Sequence, residues 1–176
     1  MLGLVGDLLK NLEIQDSHIR YEWETANLPD LIQKTTSELE ERARKRDMTI
    51  ALKGESDDLK MKVDSKHICY VLENLLSNAI KYGYEGSTVT VDWREIEDRV
   101  RILITNKGIG IPEEEQDKVF QRFYRAQNAA NVETTGTGLG LSISQRIVEG
   151  HGGEIWFETE RKEETTFYVS LPIKQT

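Results

Sequence analysis

Three polar residues suited to metal and phosphate binding fall on one side of a predicted helix. Asn74, Asn78 and Lys81 lie within about 60° of one another when each residue advances by about 100°. The opposite half of this helix is apolar and holds Ile68, Leu72, Leu75, Leu76, Ala79 and Ile80. Two amide oxygens one turn apart can hold a hard cation such as Mg²⁺, and a lysine one turn further can meet a phosphate. The alternative is a solvated helix face that binds nothing, and the stripe alone leaves both interpretations open.

A glycine-rich segment follows a predicted strand at residues 106–112, which read Asn-Lys-Gly-Ile-Gly-Ile-Pro. Glycines two residues apart let the backbone turn sharply and approach a flat ligand. No helix follows directly, so the segment does not fit a dinucleotide-binding fingerprint. A tight turn without a ligand is the alternative for this segment.

A second glycine-rich segment, residues 136–141, opens a predicted helix. The free N–H groups and the positive dipole end of a helix form an anion site, and glycines let the main chain wrap a phosphate. No Gly-Lys-Ser/Thr follows, so the segment is not a Walker loop. A flexible helix start is the alternative.

Aromatic and basic residues alternate between these two segments, at residues 119–125. We expect the aromatics to anchor the segment on the core, whereas Arg122 and Arg125 are close enough to reach a phosphate. Arg125 is the better candidate because it abuts residues 126–137, which are small and polar without periodicity and predict a mobile loop. Together these features predict a nucleotide pocket with a lid.

The elements that position these groups mix helices with hairpins and predict an α+β sandwich with a largely antiparallel sheet. Helices are expected from Pro29 to Ala43, from the N-cap Asp64 to Tyr82, over residues 113–120 and over residues 139–149. Strands are expected at residues 48–52, 59–63, 88–93, 100–105, 154–158 and 166–171, with residues 59–63 as the return strand of 48–52.

The composition excludes several classes of function. The chain has 176 residues and a net charge of −8, which argues against nucleic acid or an anionic membrane as its partner. The single cysteine, Cys69, rules out an internal disulfide, and no zinc pattern is present. The apolar start, residues 1–9, lacks a basic region, so we predict neither a signal peptide nor a membrane span and expect a cytoplasmic location.

The first 15 residues place Leu2, Val5, Leu9 and Leu12 at the spacing of a helical seam. A seam this short cannot bury itself, so it is expected to pack on a missing partner or on a second copy of the chain. Docking on its own domain is the alternative.

Taken together, these segments resemble the ATP-binding catalytic domain of bacterial sensor histidine kinases, and the resemblance covers residues 28–172. That family belongs to the ATPase group with the Bergerat fold, a two-layer α/β sandwich shared with type II topoisomerases, Hsp90-like chaperones and mismatch-repair ATPases. The resemblance rests on four segments in the family's order: residues 71–82 (N box), 106–112 (G1 box), 120–124 (F box) and 136–141 (G2 box). Residues 1–20 look like the end of a dimerisation and phosphotransfer helix, and residues 21–176 like the catalytic domain.

The resemblance implies a protein-histidine kinase that binds ATP and Mg²⁺ and transfers the γ-phosphoryl to a histidine on a separate domain. Asn78 would hold Mg²⁺ with support from Asn74, and Lys81 and Arg125 would approach the phosphates. Residues 126–137 would be the ATP lid, the chain would dimerise through residues 1–20, and a response regulator would act downstream. The implied nucleotide contacts are Asn74, Asn78, Lys81, Tyr82, Asn106, Gly108, Gly110, Ile111, Phe120, Arg125, Thr135, Gly136, Thr137, Gly138, Leu139, Gly140 and Leu141.

The chain departs from the family pattern in two places that bear on binding. Asn106 stands where the family has an Asp that accepts a hydrogen bond from the adenine amino group. Loss of the charge predicts ATP binding weaker by about 1–2 kcal/mol than with Asp. The glycine-rich turn expected before the last strand is replaced by Lys162-Glu163-Glu164-Thr165, so the turn there must be built differently.

The phosphoacceptor histidine is also missing, because none of His18, His67 and His151 has the expected surroundings. The acceptor is therefore expected upstream or on another chain. Two alternatives stay open: a degenerate nucleotide-binding module without phosphotransfer, and a protein-serine kinase of the anti-sigma type. The seam at residues 1–15 speaks against the serine kinase.

Overall fold

The fold places a layer of helices on one face of a five-stranded sheet. The computed structural model describes residues 19–132, 136–160 and 164–174. Within these residues the elements are β1 (Glu24–Asn27), α1 (Leu28–Arg44), β2 (Thr49–Leu52), β3 (Lys60–Val63), α2 (Ser65–Tyr82), β4 (Thr88–Ile96), β5 (Arg99–Lys107), a 3₁₀ helix (Glu113–Lys118), α3 (Gln127–Val132), α4 (Gly140–Gly150), β6 (Glu154–Glu160) and β7 (Glu164–Pro172). The helical seam and dimerisation helix predicted for the first 20 residues fall almost wholly outside the described residues.

The large sheet has the strand order β2-β4-β5-β7-β6 and is mixed, as predicted. Strand β2 pairs with β4 in parallel, and the other neighbours pair antiparallel. Inward side chains on the central strands alternate with outward ones and pack against the helix layer, which gives one core; they are Val89, Val91, Trp93, Val100, Ile102, Ile104, Phe167, Val169 and Leu171.

The prediction that residues 48–52 and 59–63 form a hairpin is wrong, because the two strands do not pair with each other. Strand β3 pairs instead with β1, an exposed four-residue strand that the sequence pattern did not indicate. The reason lies just after β2, where the N–H of Lys53 bonds the carbonyl of Val91 at 2.9 Å and the N–H of Glu55 bonds that of Trp93 at 3.1 Å. The chain therefore continues along β4 and cannot fold back on β2.

Helix α2 has the bounds and the N-cap that the sequence predicts. Asp64 Oδ1 accepts the N–H of His67 at 3.0 Å, which satisfies one of the free donors in the first turn. At the other end the Arg46 guanidinium donates to the carbonyls of Ile80 and Lys81. Both ends of the helix that carries the polar stripe are thus fixed by side chains.

Two further predictions about elements need correction. Residues 127–132, expected to be a loop, form the short helix α3; its N-terminus is held by the Glu115 carboxylate, 3.2 Å from the N–H of Gln127. Six residues are too few for apolar periodicity, so this helix left no signal in the sequence. Glu164 and Thr165, expected in a turn, belong to β7 because they pair with Lys107 and Asn106; Lys162 and Glu163 lie outside the described residues.

Among the described residues, no helix combines the length and the apolar character that crossing a membrane requires.

Candidate functional site

A cleft of about 440 Å³ opens between α2, the end of β5, α3 and the start of α4. It brings together residues from all four segments that the sequence singles out, although these lie far apart in the chain. Of the predicted contacts, those that line it are Asn74, Asn78, Lys81, Tyr82, Asn106, Gly110, Ile111, Arg125, Gly136, Thr137, Gly138, Gly140 and Leu141.

Other predicted contacts lie outside the lining. A Cβ on Gly108 would come within 2.1 Å of the Tyr82 carbonyl oxygen, so this glycine permits the close passage of β5 past α2. Phe120 packs on Phe157 with ring centroids 6.1 Å apart, and Leu139 is buried in the core. Thr135 lies outside the described residues. Phe123, expected to anchor its segment on the core, is 69% exposed instead.

Several lining residues were missed by the sequence analysis: Arg42, Tyr70, Glu73, Ser77, Ala79, Ile109, Val119, Tyr124, Ala126, Asn128, Ala129, Thr165 and Phe167. Tyr70 and Ser77 had a usable signal, since they stand four residues before and three after Asn74 and so share its face of the helix. Thr165 had none, because it reaches the site through pairing of β7 with Asn106.

Asn74 links α2 to α4 instead of pointing freely into the cleft. Its Nδ2 donates to Ser144 Oγ at 3.0 Å, and a Cβ on Gly140 would come within 2.2 Å of its Oδ1. Asn78 is half-buried and makes no side-chain hydrogen bond with the described residues. The two amides of the stripe therefore differ: Asn74 is a tie between helices, and Asn78 offers its oxygen to the cleft.

The most buried part of the lining, which we call the closed end of the cleft, is mostly apolar. Ala79, Val119 and Phe167 are buried there, beside the buried amide of Asn106 and the buried hydroxyl of Thr165. Asn106 and Thr165 face each other across the β5–β7 pair. A flat, largely apolar group with one or two polar atoms at its edge fits this end.

The less buried part of the lining, which we call the mouth of the cleft, carries three cations and one carboxylate, that of Glu73. Lys81, Arg125 and Arg42 line it together with the glycines that precede α4. Arg125 Nη1 donates to the carbonyl of Gly136 at 3.3 Å. Because the chain as a whole carries a charge of −8, this local concentration of positive charge favours an anionic group at the start of α4.

Two glycines with positive φ shape the loops around the cleft. Gly110 has φ +64°, and Asn128 Nδ2 of α3 donates to its carbonyl at 3.1 Å and to that of Ile109 at 3.3 Å. Gly138 has φ +69°, and its carbonyl accepts the N–H of Phe123 at 2.9 Å. A side chain at either position would strain the backbone, so the loop shapes depend on glycine.

Tyr124 lies in the lining as a neutral phenol. Burial raises its pKa above the ordinary value, and a hydrogen bond to Glu115 raises it further. Glu115 also accepts the N–H of Gln127, so its charge is engaged by two donors at the start of α3.

Comparisons with known proteins identify the family of the chain. Residues 63–175 match the family described as "Histidine kinase-, DNA gyrase B-, and HSP90-like ATPase". The sensor histidine kinase WalK of Bacillus subtilis is 42% identical over 120 residues, which cover 67% of this chain and 20% of that protein. The chain spans 20% to 29% of the length of the WalK relatives it matches.

Solved structures give the same result. The nucleotide-free catalytic domain of histidine kinase ThkA superposes with a TM-score of 0.77 at 32% identity, covering 88% of this chain and 99% of that domain. ThkA in complex with the response regulator TrrA superposes with a TM-score of 0.80 at 28% identity, covering 98% of this chain and 48% of ThkA. The chain belongs to the histidine kinase-, DNA gyrase B- and HSP90-like ATPase family, and the relatives it matches there are sensor histidine kinases.

Proposed function

We propose that the chain is the catalytic part of a sensor histidine kinase, which binds ATP with Mg²⁺ in the cleft and transfers the γ-phosphoryl to a histidine on a separate domain. The observation that carries the proposal is the pairing of an apolar closed end with a cationic, glycine-rich mouth in one cleft. The first matches a purine base, and the second matches a triphosphate.

In this arrangement the base occupies the closed end, between Ala79, Phe167 and Ile111. The Asn106 oxygen accepts a hydrogen bond from the adenine amino group. The phosphates accept hydrogen bonds from the first N–H groups of α4. Lys81 contacts them through a compact ammonium group, and Arg125 through a planar guanidinium. Thr137, Gly138 and Gly140 let the main chain approach the phosphates closely.

The donor set of the cleft fits a magnesium ion that is shared with the phosphates. Among the described residues, no three His, Cys, Asp or Glu side chains are placed so that they could hold a metal ion together. Mg²⁺ typically takes one or two protein oxygens and completes its shell with phosphate oxygens and water. We assign that protein oxygen to Asn78, with Asn74 orienting the helices around it. When bound there, the ion would neutralise charge on the phosphoryl group.

The transfer needs positioning and charge stabilisation from this chain, and the nucleophile comes from elsewhere. An imidazole nitrogen of the acceptor attacks the γ-phosphorus, a P–N bond forms, and the bond from the γ-phosphorus to the bridging oxygen of ADP breaks. Lys81 and Arg125 stabilise the charge that develops on the equatorial and bridging oxygens.

The partners of this reaction follow from its chemistry and from the relatives. The acceptor would be a histidine-bearing dimerisation domain, with residues 1–20 as the end of its helix and a dimer formed there. A response regulator would receive the phosphoryl group next, since ThkA is known in complex with TrrA. Because ATP is a cytoplasmic nucleotide, we place the domain in the cytoplasm.

One assay separates this proposal from its alternatives. The chain is mixed with γ-labelled ATP, Mg²⁺ and a separately produced histidine-bearing helical domain. Label on that domain that is labile in acid and stable in base is the expected result. Nucleotide binding without any transfer would instead indicate a degenerate module, the alternative that Asn106 keeps open. Acid-stable label on a serine of a partner protein would indicate a serine kinase.

A further inference from the structure

The polar group at the closed end of the cleft is an amide, which is both a donor and an acceptor. Asn106 ends the inward face of β5 and is only 6% exposed. Its amide makes no side-chain hydrogen bond with any residue that the structure describes, yet it lines the cleft. A buried amide without a protein partner is satisfied by whatever edge the ligand presents.

The surroundings of Asn106 do not select one end of its amide. A Cβ on Gly108 would lie 2.8 Å from Asn106 Nδ2, so the absence of a side chain there leaves space beside the amide. Across the strand pair stands Thr165, whose hydroxyl donates to Thr159 Oγ1 at 3.4 Å and makes no hydrogen bond with the Asn106 amide. Either the oxygen or the NH₂ of Asn106 can therefore face the ligand.

From this we propose that Asn106 makes the site accept 6-oxopurine nucleoside triphosphates, of the inosine type, as well as ATP. The inference rests on the proposed function. Asn106 Oδ1 accepts from the 6-amino group of adenine, and after a half-turn Nδ2 donates to the 6-oxo group of hypoxanthine. A carboxylate at this position only accepts, so it would oppose the lone pairs of a 6-oxo group and weaken binding of that base relative to adenine.

The rest of the closed end does not discriminate between these bases. Ala79, Phe167, Val119 and Ile111 contact the faces and edges of a ring through apolar atoms, which a purine offers whatever its 6-substituent. Selectivity at position 6 therefore depends on Asn106 and its neighbour Thr165.

The test measures Mg²⁺-dependent binding of ATP, ITP and purine riboside triphosphate to the full chain by titration calorimetry. ITP carries the 6-oxo group without an extra 2-amino group, and purine riboside triphosphate has only hydrogen at position 6. We expect ATP and ITP to bind within about fivefold of each other, and both more tightly than the purine analogue. ITP binding that is weaker than ATP binding by more than this margin would overturn the inference.

The Asn106→Asp variant then shifts the two affinities in opposite directions, with tighter ATP and weaker ITP binding, so the ratio changes by about tenfold or more. Because a buried carboxylate can destabilise the fold, Asn106→Leu serves as the second variant. Its shape is close to Asn, and both ATP and ITP are expected to fall to the affinity of the purine analogue. A leucine variant that keeps its preference for ATP over the analogue contradicts the role of the amide.

These results are distinguishable from failure of the proposed function. Absence of ATP binding by the wild-type chain would remove the proposed function and this inference together. ATP binding with exclusion of ITP would remove this inference alone.

Discussion

At the scale of single residues, Arg42 is the cation of the cleft that comes from outside the sequence motifs. Its neighbours on α1 are paired along the helix, Arg44 with Glu40 at 3.4 Å and Lys45 with Glu41 at 2.9 Å. Arg42 lines the mouth of the cleft and has no ion pair within the described part of the chain. Its charge is therefore available to a triphosphate.

Replacement of Arg42 by alanine is expected to weaken ATP binding about fivefold, with a smaller effect at high salt because the site is exposed. Titration calorimetry at low and high salt measures this. Arg44→Ala, which removes an equal charge two residues away on the other side of α1, is the matched control. Equal affinities of the two variants would contradict a role for Arg42.

Gly140 and Asn74 depend on each other. A Cβ on Gly140 would meet Asn74 Oδ1 at 2.2 Å, so Gly140→Ala is expected to lower the free energy of unfolding by about 1–3 kcal/mol. Urea denaturation of both single variants and the double variant completes a cycle. In the Asn74→Ala background the alanine has room, and its cost is expected to fall below about 1 kcal/mol. If Gly140→Ala lowers the unfolding free energy equally in the Asn74→Ala background, the added Cβ does not clash with Asn74.

The polar stripe of α2 could be predicted from the sequence because helix periodicity is a local property. Asn78 and Lys81 line the cleft for that reason, and Arg125 does so because it adjoins the segment before α4; Tyr82 was expected there only from the family resemblance. Thr165 and Arg42 could not be predicted, since they arrive through strand pairing and helix packing between distant parts of the chain.

At the scale of elements, α3 is tied to the glycine turn after β5 by one side chain. Asn128 Nδ2 donates to the carbonyls of Ile109 and Gly110, and these hydrogen bonds join two segments that line the cleft. The prediction of a loop at residues 127–132 failed because the contacts that hold this short helix come from Glu115 and Asn128. The hairpin prediction failed for a similar reason, as β2 extends along β4.

Asn128→Ala is expected to speed amide hydrogen exchange in α3, corresponding to a local loss of about 1 kcal/mol. Asn131→Ala is the matched control, since Asn131 is exposed on the same helix and makes no side-chain hydrogen bond with the described residues. Exchange rates in α3 that respond equally to both substitutions would contradict the tie.

At the scale of the whole molecule, a buried polar cluster joins three parts of the chain. His151, fully buried after α4, accepts the N–H of Asp64 on Nε2 at 3.0 Å and contacts the Ile147 carbonyl through Nδ1 at 2.8 Å. The rings of Tyr21 and Trp23 lie 4.7 and 4.8 Å from it. The segment before β1, the start of α2 and the end of α4 meet here.

This cluster predicts that stability falls in mild acid. Burial lowers the pKa of His151 below its ordinary value. At a pH between the pKa of the folded chain and the ordinary pKa, His151 therefore binds a proton in the unfolded chain but not in the folded chain. Folding stability is therefore lost as the pH drops from 7 towards 5. The pKa of Asp64 is lowered overall: burial raises it, but the hydrogen bonds from Glu22 and His67 lower it by more than burial raises it. Asp64 therefore stays ionised over this range.

Urea unfolding at pH 7, 6 and 5 checks this. The His151→Asn variant is expected to be less stable at pH 7 and to lose less stability than wild type between pH 7 and pH 5. A variant with the same pH slope as wild type would assign the acid sensitivity to another group.

The hydrogen bond from the Phe123 N–H to the Gly138 carbonyl has a consequence for how this region tolerates change in length. It closes the intervening segment into a ring, and the entropic cost of closing a ring grows only with the logarithm of its length. A Gly-Ser pair inserted after Val132 is thus expected to alter the unfolding free energy by less than about 0.5 kcal/mol, as urea titration would show. We expect the added length to be taken up between Phe123 and Gly138, so that Gly138 and Gly140 keep their positions.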